Sequence, residues 1–319
     1  MEGRTLFQIL AVLTALWYSA PWAECVSFSS RPLSEDDYLY LQTLPDGKAG
    51  QQLPGFKYLY VDEDRQTNET LDHSRVQLEI AGSPGVSDFA LRVAADYVIK
   101  MTQYMPDDIF RNVATRSSLG IFSAHEKLIV FPEYAHLANG DCGTSCLGSC
   151  AHTCSADGRK WENVAGVGGK RAVILEDNIL CTPHDPYYHN LNVLVHEYTH
   201  TIHANGLGPQ ALHNITAAYH SAKEAHTWTV PSYAMGNERE YFAVATTVFF
   251  AVNRNGLANS GGMNSCGSGF CTTEAQGREH LSLRDPALYG ALSYVFTDNN
   301  PDLHSGLTIC PHSNPVVVG

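Results

Sequence analysis

The sequence has 319 residues, 44% of them hydrophobic, and a formal net charge of −13. That length accommodates one large domain or two modest ones with a substantial core. The acidic balance argues against nucleic acid and anionic membrane surfaces as partners.

Arg4 precedes an apolar run from Leu6 to Tyr18, and Ala20-Pro21-Trp22-Ala23 follows. The run is too short to span a bilayer and ends in small residues, so 1–23 reads as a secretory signal peptide cut after Ala23. No later segment has eighteen consecutive apolar residues, so membrane insertion is not expected and the protein is expected to be secreted and extracellular. The 9 cysteines then read mainly as disulfides, with one left over for another chain or a free thiol. The sequons Asn68-Glu69-Thr70 and Asn214-Ile215-Thr216 are compatible with glycosylation.

Residues 24–80 are polar and broken by Pro32, Pro45 and Pro54, which predicts an N-terminal extension or pro-segment with short strands at Lys57–Val61 and Val76–Ile80. Within it Cys25 reads as a disulfide partner more readily than as an inhibitory metal thiolate. The catalytic domain is expected over 81–319. Ser87 caps a predicted helix running to about Met105, where Pro106 stops it. Two apolar runs, Leu119–Phe122 and Lys127–Phe131, predict neighbouring strands in a hairpin. Cys142, Cys146, Cys150 and Cys154 stand at steps of four in a segment rich in Gly and Ser. Disulfides are favoured there over a thiolate metal cluster, with the pairing open; Cys266 and Cys271 flank a short loop and read as mutual partners. Arg171–Glu176 is a predicted strand. At a sheet edge it would pair with an extended peptide, whereas in the interior it would only pack, and both readings stand.

The most informative stretch is Asn190–His203. Leu191, Leu194, Val195, Tyr198 and Ile202 recur at helical spacing, so one stripe faces a core. His196 and His200, four apart, stack on one helix face, where two neutral imidazoles can hold one zinc ion while Glu197 reaches a zinc-bound water. Gly206 ends this helix. Further helices are predicted over Pro209–Lys223, from Asn237 to about Asn253, and over Pro286–Phe296, with a loop in between reaching Glu279.

Catalytic zinc takes three protein ligands and keeps one position open. Downstream donors are His203, His220, Glu224, His226, Glu238 and Glu240. His203 shares the helix of the first pair, whereas a third ligand normally arrives from another element, so His203 reads as supporting or structural. The H-E-x-x-H-x-x-G-x-x-H extension is absent. Glu240 is preferred because it opens a separate amphipathic helix; equally, Glu238 and Glu240 would complement that helix's N-terminal dipole beside an Asn237 cap.

His196-Glu197-Tyr198-Thr199-His200, followed by Ser232-Tyr233 and then Asn237-Glu238-Arg239-Glu240-Tyr241-Phe242-Ala243, resembles the zinc metallopeptidase domain of the anthrax lethal factor family over about residues 190–250. The resemblance implies zinc ligation by His196, His200 and Glu240, a general-base role for Glu197, and a hydrogen bond from Tyr233 to the oxyanion. Thr199 and Val244 depart from the family pattern, the latter standing where the family has a second acidic residue near the zinc. The expected fold is α+β and zincin-like: a twisted sheet over the H-E-x-x-H helix and a mostly helical lower half. The expected function is that of a secreted zinc metalloendopeptidase acting on a peptide or protein substrate with one catalytic Zn2+. Two alternatives are a secreted zincin-fold binding or toxin-like protein with restricted or lost catalysis, and a zinc hydrolase of non-peptide amides.

Overall fold

The computed structural model describes residues 52–155 and 158–311; the predicted signal peptide and Cys25 lie outside them. Strands β1 (Lys57–Asp62), β2 (Thr67–Asn68), β3 (Gln77–Gly82), β4 (Ser118–Phe122), β5 (Gly166–Val167) and β6 (Arg171–Leu175) form one sheet in the order β2-β1-β3-β4-β6-β5. β1 runs antiparallel to β2 and β3, and β5 to β6, while β3–β4 and β4–β6 are parallel. Parallel neighbours need long crossovers. From β3 to β4 the crossover is helix α1 (Asp88–Thr102) and helix α2 (Asp107–Arg116). The second half is mostly helical: α3 (Glu176–Ile179), α4 (Val193–Asn205), α5 (Pro209–Glu224), α6 (Glu238–Phe249), α7 (Leu257–Ser260), a small β7–β8 hairpin (Ser265–Cys266 and Gly269–Phe270), α8 (Glu274–Arg284) and α9 (Pro286–Thr297). The mixture of sheet and helix agrees with the α+β expectation.

The period-2 alternation of strands divides the core. Leu78, Ile80, Leu119, Ile121, Ala172 and Ile174 join the helices in the larger cluster. Ala81, Phe122 and Val173 belong to a second cluster with Leu128, Phe131 and Trp161. This explains why the predicted hairpin between 119–122 and 127–131 does not form. β4 already has parallel partners on both sides, so no edge remains for a third strand. Leu128–Val130 instead makes a 3₁₀ turn, and Leu128 and Phe131 are buried in the second cluster.

Both strands predicted within 24–80 are present, and β3 lies between β1 and β4 in the main sheet. β6 is interior, and the outer strand on that side is β5. The stretch expected as a loop up to Glu279 contains the start of α8, where Thr273 Oγ1 accepts from Gln276 N at 3.2 Å. The helix before Gly206 ends there as predicted, but through close approach rather than a left-handed turn. Gly206 has φ −94°, and a Cβ on it would stand 2.4 Å from Val113 Cγ2 of α2.

Cys266–Cys271 is bonded as the sequence predicts. The cysteines at steps of four cross-pair as Cys142–Cys150 and Cys146–Cys154, and Cys181–Cys310 ties the C-terminal segment to the chain just ahead of α4. On the sheet face that carries Phe131, Arg171 Nε donates to Glu133 Oε1 at 2.5 Å and Nη1 to Glu79 Oε1 at 3.1 Å, with all three side chains buried.

Candidate metal centre

The N-terminus of α4 is fixed by two asparagines. Asn192 Oδ1 accepts from Val195 N at 3.1 Å, and Asn178 Oδ1 accepts from Val193 N at 2.8 Å. Asn178 Nδ2 in turn donates to Leu191 O and to Asp185 Oδ1. Every residue from Val193 to His203 is buried, so the helix is covered on all faces and not only along its predicted apolar stripe. Its covering includes the turn between β5 and β6. A Cβ at Gly168 would stand 2.5 Å from His200 Cβ and 2.9 Å from Glu197 O, closer than real Cβ contacts allow. Since the second of these atoms is backbone, Gly168→Ala must push the turn and α4 apart. The expected cost is about 1–3 kcal/mol in thermal unfolding, with weaker metal binding on titration. An alanine variant as stable as the wild type would contradict this contact.

On the buried face of α4 the donor atoms of His196, Glu197 and His200 all lie within 4.8 Å of one another. His196 Nε2 and His200 Nε2 are 3.2 Å apart. Helix α6 brings Glu240, which is fully buried, so that its Oε2 lies 3.0 Å from His196 Nε2 and 3.5 Å from His200 Nε2. Asn237 caps α6 as expected, its Oδ1 accepting from both Arg239 N and Glu240 N. The Glu240 carboxylate itself turns to the histidines.

Burial alone would raise the Glu240 pKa, but His200 and His196 hold it well below the usual carboxylate range. Burial also works against protonation of His196, yet the Glu240 charge raises its pKa on balance. Burial pushes Glu197 up, with His196 and His200 opposing. A buried carboxylate facing two imidazoles, with a second buried carboxylate beside them, is a donor set that fits a divalent metal ion. The spacing fits as well. Ligands bound tetrahedrally at about 2.0–2.1 Å stand roughly 3.3–3.4 Å from one another, and the three edges here are 3.0, 3.2 and 3.5 Å. Among the described residues nothing hydrogen-bonds to His196 Nδ1, and position 244, acidic in the resembled family, is a buried valine. The outer support that usually orients a ligating imidazole is thus thin here.

Tyr233 is half-buried, with its ring centroid 5.8 Å from that of His196 and its backbone N donating to Ala258 O. Burial, then the charges of Glu240 and Glu197, push its phenol well up, so it stays a proton donor. Two further groups were not singled out from the sequence. Tyr187, in the loop that Asp185 braces ahead of α4, is pushed up by burial and by the charges of Glu197, Asp185 and Glu240. Arg159, at the end of the cysteine-rich segment, favours the ionised forms of Glu197, Tyr233 and Tyr187. Both sit in irregular segments, and no spacing signal points to either. His203 lies one turn beyond His200; burial, His200 and Arg239 lower its pKa to about 3, so its ring is neutral.

No protein-family model matches the sequence, and a comparison with curated proteins finds no match. Among solved structures, that of the PRO-PRO endopeptidase (PPEP-2) from Paenibacillus alvei is similar at 18% identity, covering 68% of this chain and 97% of that one, with a TM-score of 0.41.

Proposed function

We propose that this protein is a secreted zinc metalloendopeptidase, with His196, His200 and Glu240 as the ligands. The observation that carries the reading is the convergence of two imidazole nitrogens and one carboxylate oxygen at mutual distances of 3.0–3.5 Å, beside the buried Glu197. When bound there, zinc lowers the pKa of water and polarises a carbonyl. Glu197 accepts a proton from the attacking water and hands it to the leaving amine; its burial raises its basicity toward the range such a relay needs. Tyr233, kept protonated, donates a hydrogen bond to the carbonyl oxygen as negative charge develops on it. Arg159 keeps positive potential over the same oxygen-rich site. Four disulfides among the described residues suit an oxidising compartment and support secretion after removal of 1–23. The catalytic unit begins no later than Lys57 in this reading, because β3 has β4 on one side and β1 on the other.

The test is cleavage of an unbiased peptide mixture by the wild type and by Glu197→Gln, with metal content measured in both. The wild type should cleave, and the variant should retain the metal while cleaving at least ~100-fold more slowly. Equal cleavage by both proteins would reject the role of Glu197. Cleavage of small amides but of no peptide would move the reading to a different hydrolase.

A further inference from the structure

Next to the metal centre lies a cavity of about 320 Å³, walled by Gly168, His200, His203, Leu212, Glu238 and Arg239. It shares His200 with the centre. His203 is only 6% exposed, and its Nε2 has no hydrogen-bond partner among the described residues. The ring is set by packing, tilted at 51° to Phe242 with centroids 6.0 Å apart. A buried polar atom without a partner is uncommon in native proteins because it forfeits its hydrogen bonds to water. One that lines a cavity is open to a hydrogen bond from whatever enters it.

We propose that this cavity is a substrate subsite and that His203 selects within it for a side chain ending in a carboxamide, as in Gln or Asn. The proposal rests on the peptidase reading above. The argument for a carboxamide is the composition of the wall. Arg239 offers only donors, Glu238 offers only acceptors when ionised, and a neutral imidazole nitrogen does either according to tautomer. A carboxamide presents both a carbonyl and an NH₂ group and so meets all three. A substrate carboxylate would meet Glu238 as well as Arg239, a substrate ammonium would meet Arg239 as well as Glu238, and a hydrocarbon chain would leave His203 Nε2 unpaired. Discrimination by a site built to hydrogen-bond its substrate exceeds what apolar fit provides.

The test uses peptides varied one position at a time around the cleaved bond, with Gln, Asn, Glu, Lys, Met and Leu at each, assayed as kcat/KM. At one position the wild type should favour Gln over the similarly shaped Met by about tenfold or more. His203→Phe should bring that ratio close to one in protein whose metal content stays near wild type. His203→Gln, which keeps a hydrogen-bonding group, should retain part of the ratio. Equal rates for Gln and Met at every position in the wild type would overturn the proposal even if neither variant folds. Loss of activity on all peptides alike in folded, metal-bearing His203→Phe would also overturn it, by making the residue structural. If the metal-loaded wild type cleaves no peptide at all, the peptidase reading fails and this proposal fails with it.

Discussion

Replacing Glu240 by Gln is expected to lower metal affinity by more than about 100-fold, beyond what the loss of an outer hydrogen-bond partner costs. The substitution keeps the shape of the side chain in a fully buried position, so it removes charge and donor strength without opening a cavity. It also takes away the negative charge that raises the His196 pKa, which makes that imidazole a weaker competitor for protons yet leaves the ion only two strong ligands. The effect should appear in two ways. Competition with a chelator should strip the variant at chelator concentrations that leave the wild type loaded. In addition, saturating metal should raise the thermal midpoint of the wild type and not of the variant, since a ligand held at 100 times its Kd adds about 2.7 kcal/mol to stability. Equal metal retention by the two proteins would remove Glu240 from the ligand set.

The second large effect lies away from the centre. Arg171→Met leaves Glu79 and Glu133 buried without their shared guanidinium, and Arg171 itself is 4% exposed. Breaking one partner out of a buried ionic group typically costs ~3–5 kcal/mol, because the remaining charges are left uncompensated. In a protein of this size that corresponds to a fall of roughly 6–10 °C in Tm. Replacing all three members together, as Arg171→Met with Glu79→Leu and Glu133→Leu, should recover much of the loss, since no charge is then stranded. A single variant within about 0.5 kcal/mol of wild type in denaturant unfolding would contradict the buried network.

How much of this the sequence disclosed depended on whether each element carries its own local signal. Helix α4 shows an apolar period together with a metal-binding spacing, and α5 and α9 open on prolines, so they were legible. The strands β1, β3 and β6 were legible from apolar runs bounded by turn residues. Helix α8 was not, because its buried residues are Glu274, Gly277, Arg278 and Leu281, and an apolar stripe is missing. The 127–131 run misled for the opposite reason. Its apolar residues are needed in the core, but a run of that length fits a turn covering a sheet as well as a strand within it. Cysteines at equal steps give no preference among pairings, and Cys181 and Cys310 are 129 residues apart, so only the short Cys266–Cys271 loop could be read. At the centre, the sequence left Glu240 between two tasks. The fold turns the Glu240 carboxylate to His196 and His200, a contact between two helices that no spacing in the sequence shows. Tyr187 and Arg159 reach the same site from irregular segments whose positions are set by tertiary packing alone.

The most direct test of the central claim is X-ray diffraction from crystals of the zinc-loaded protein, recorded above and below the zinc absorption edge. The account predicts one strong anomalous peak about 2.0–2.2 Å from His196 Nε2, His200 Nε2 and a Glu240 carboxylate oxygen. A zinc-loaded crystal with its anomalous peak elsewhere, and none between these three side chains, would contradict it.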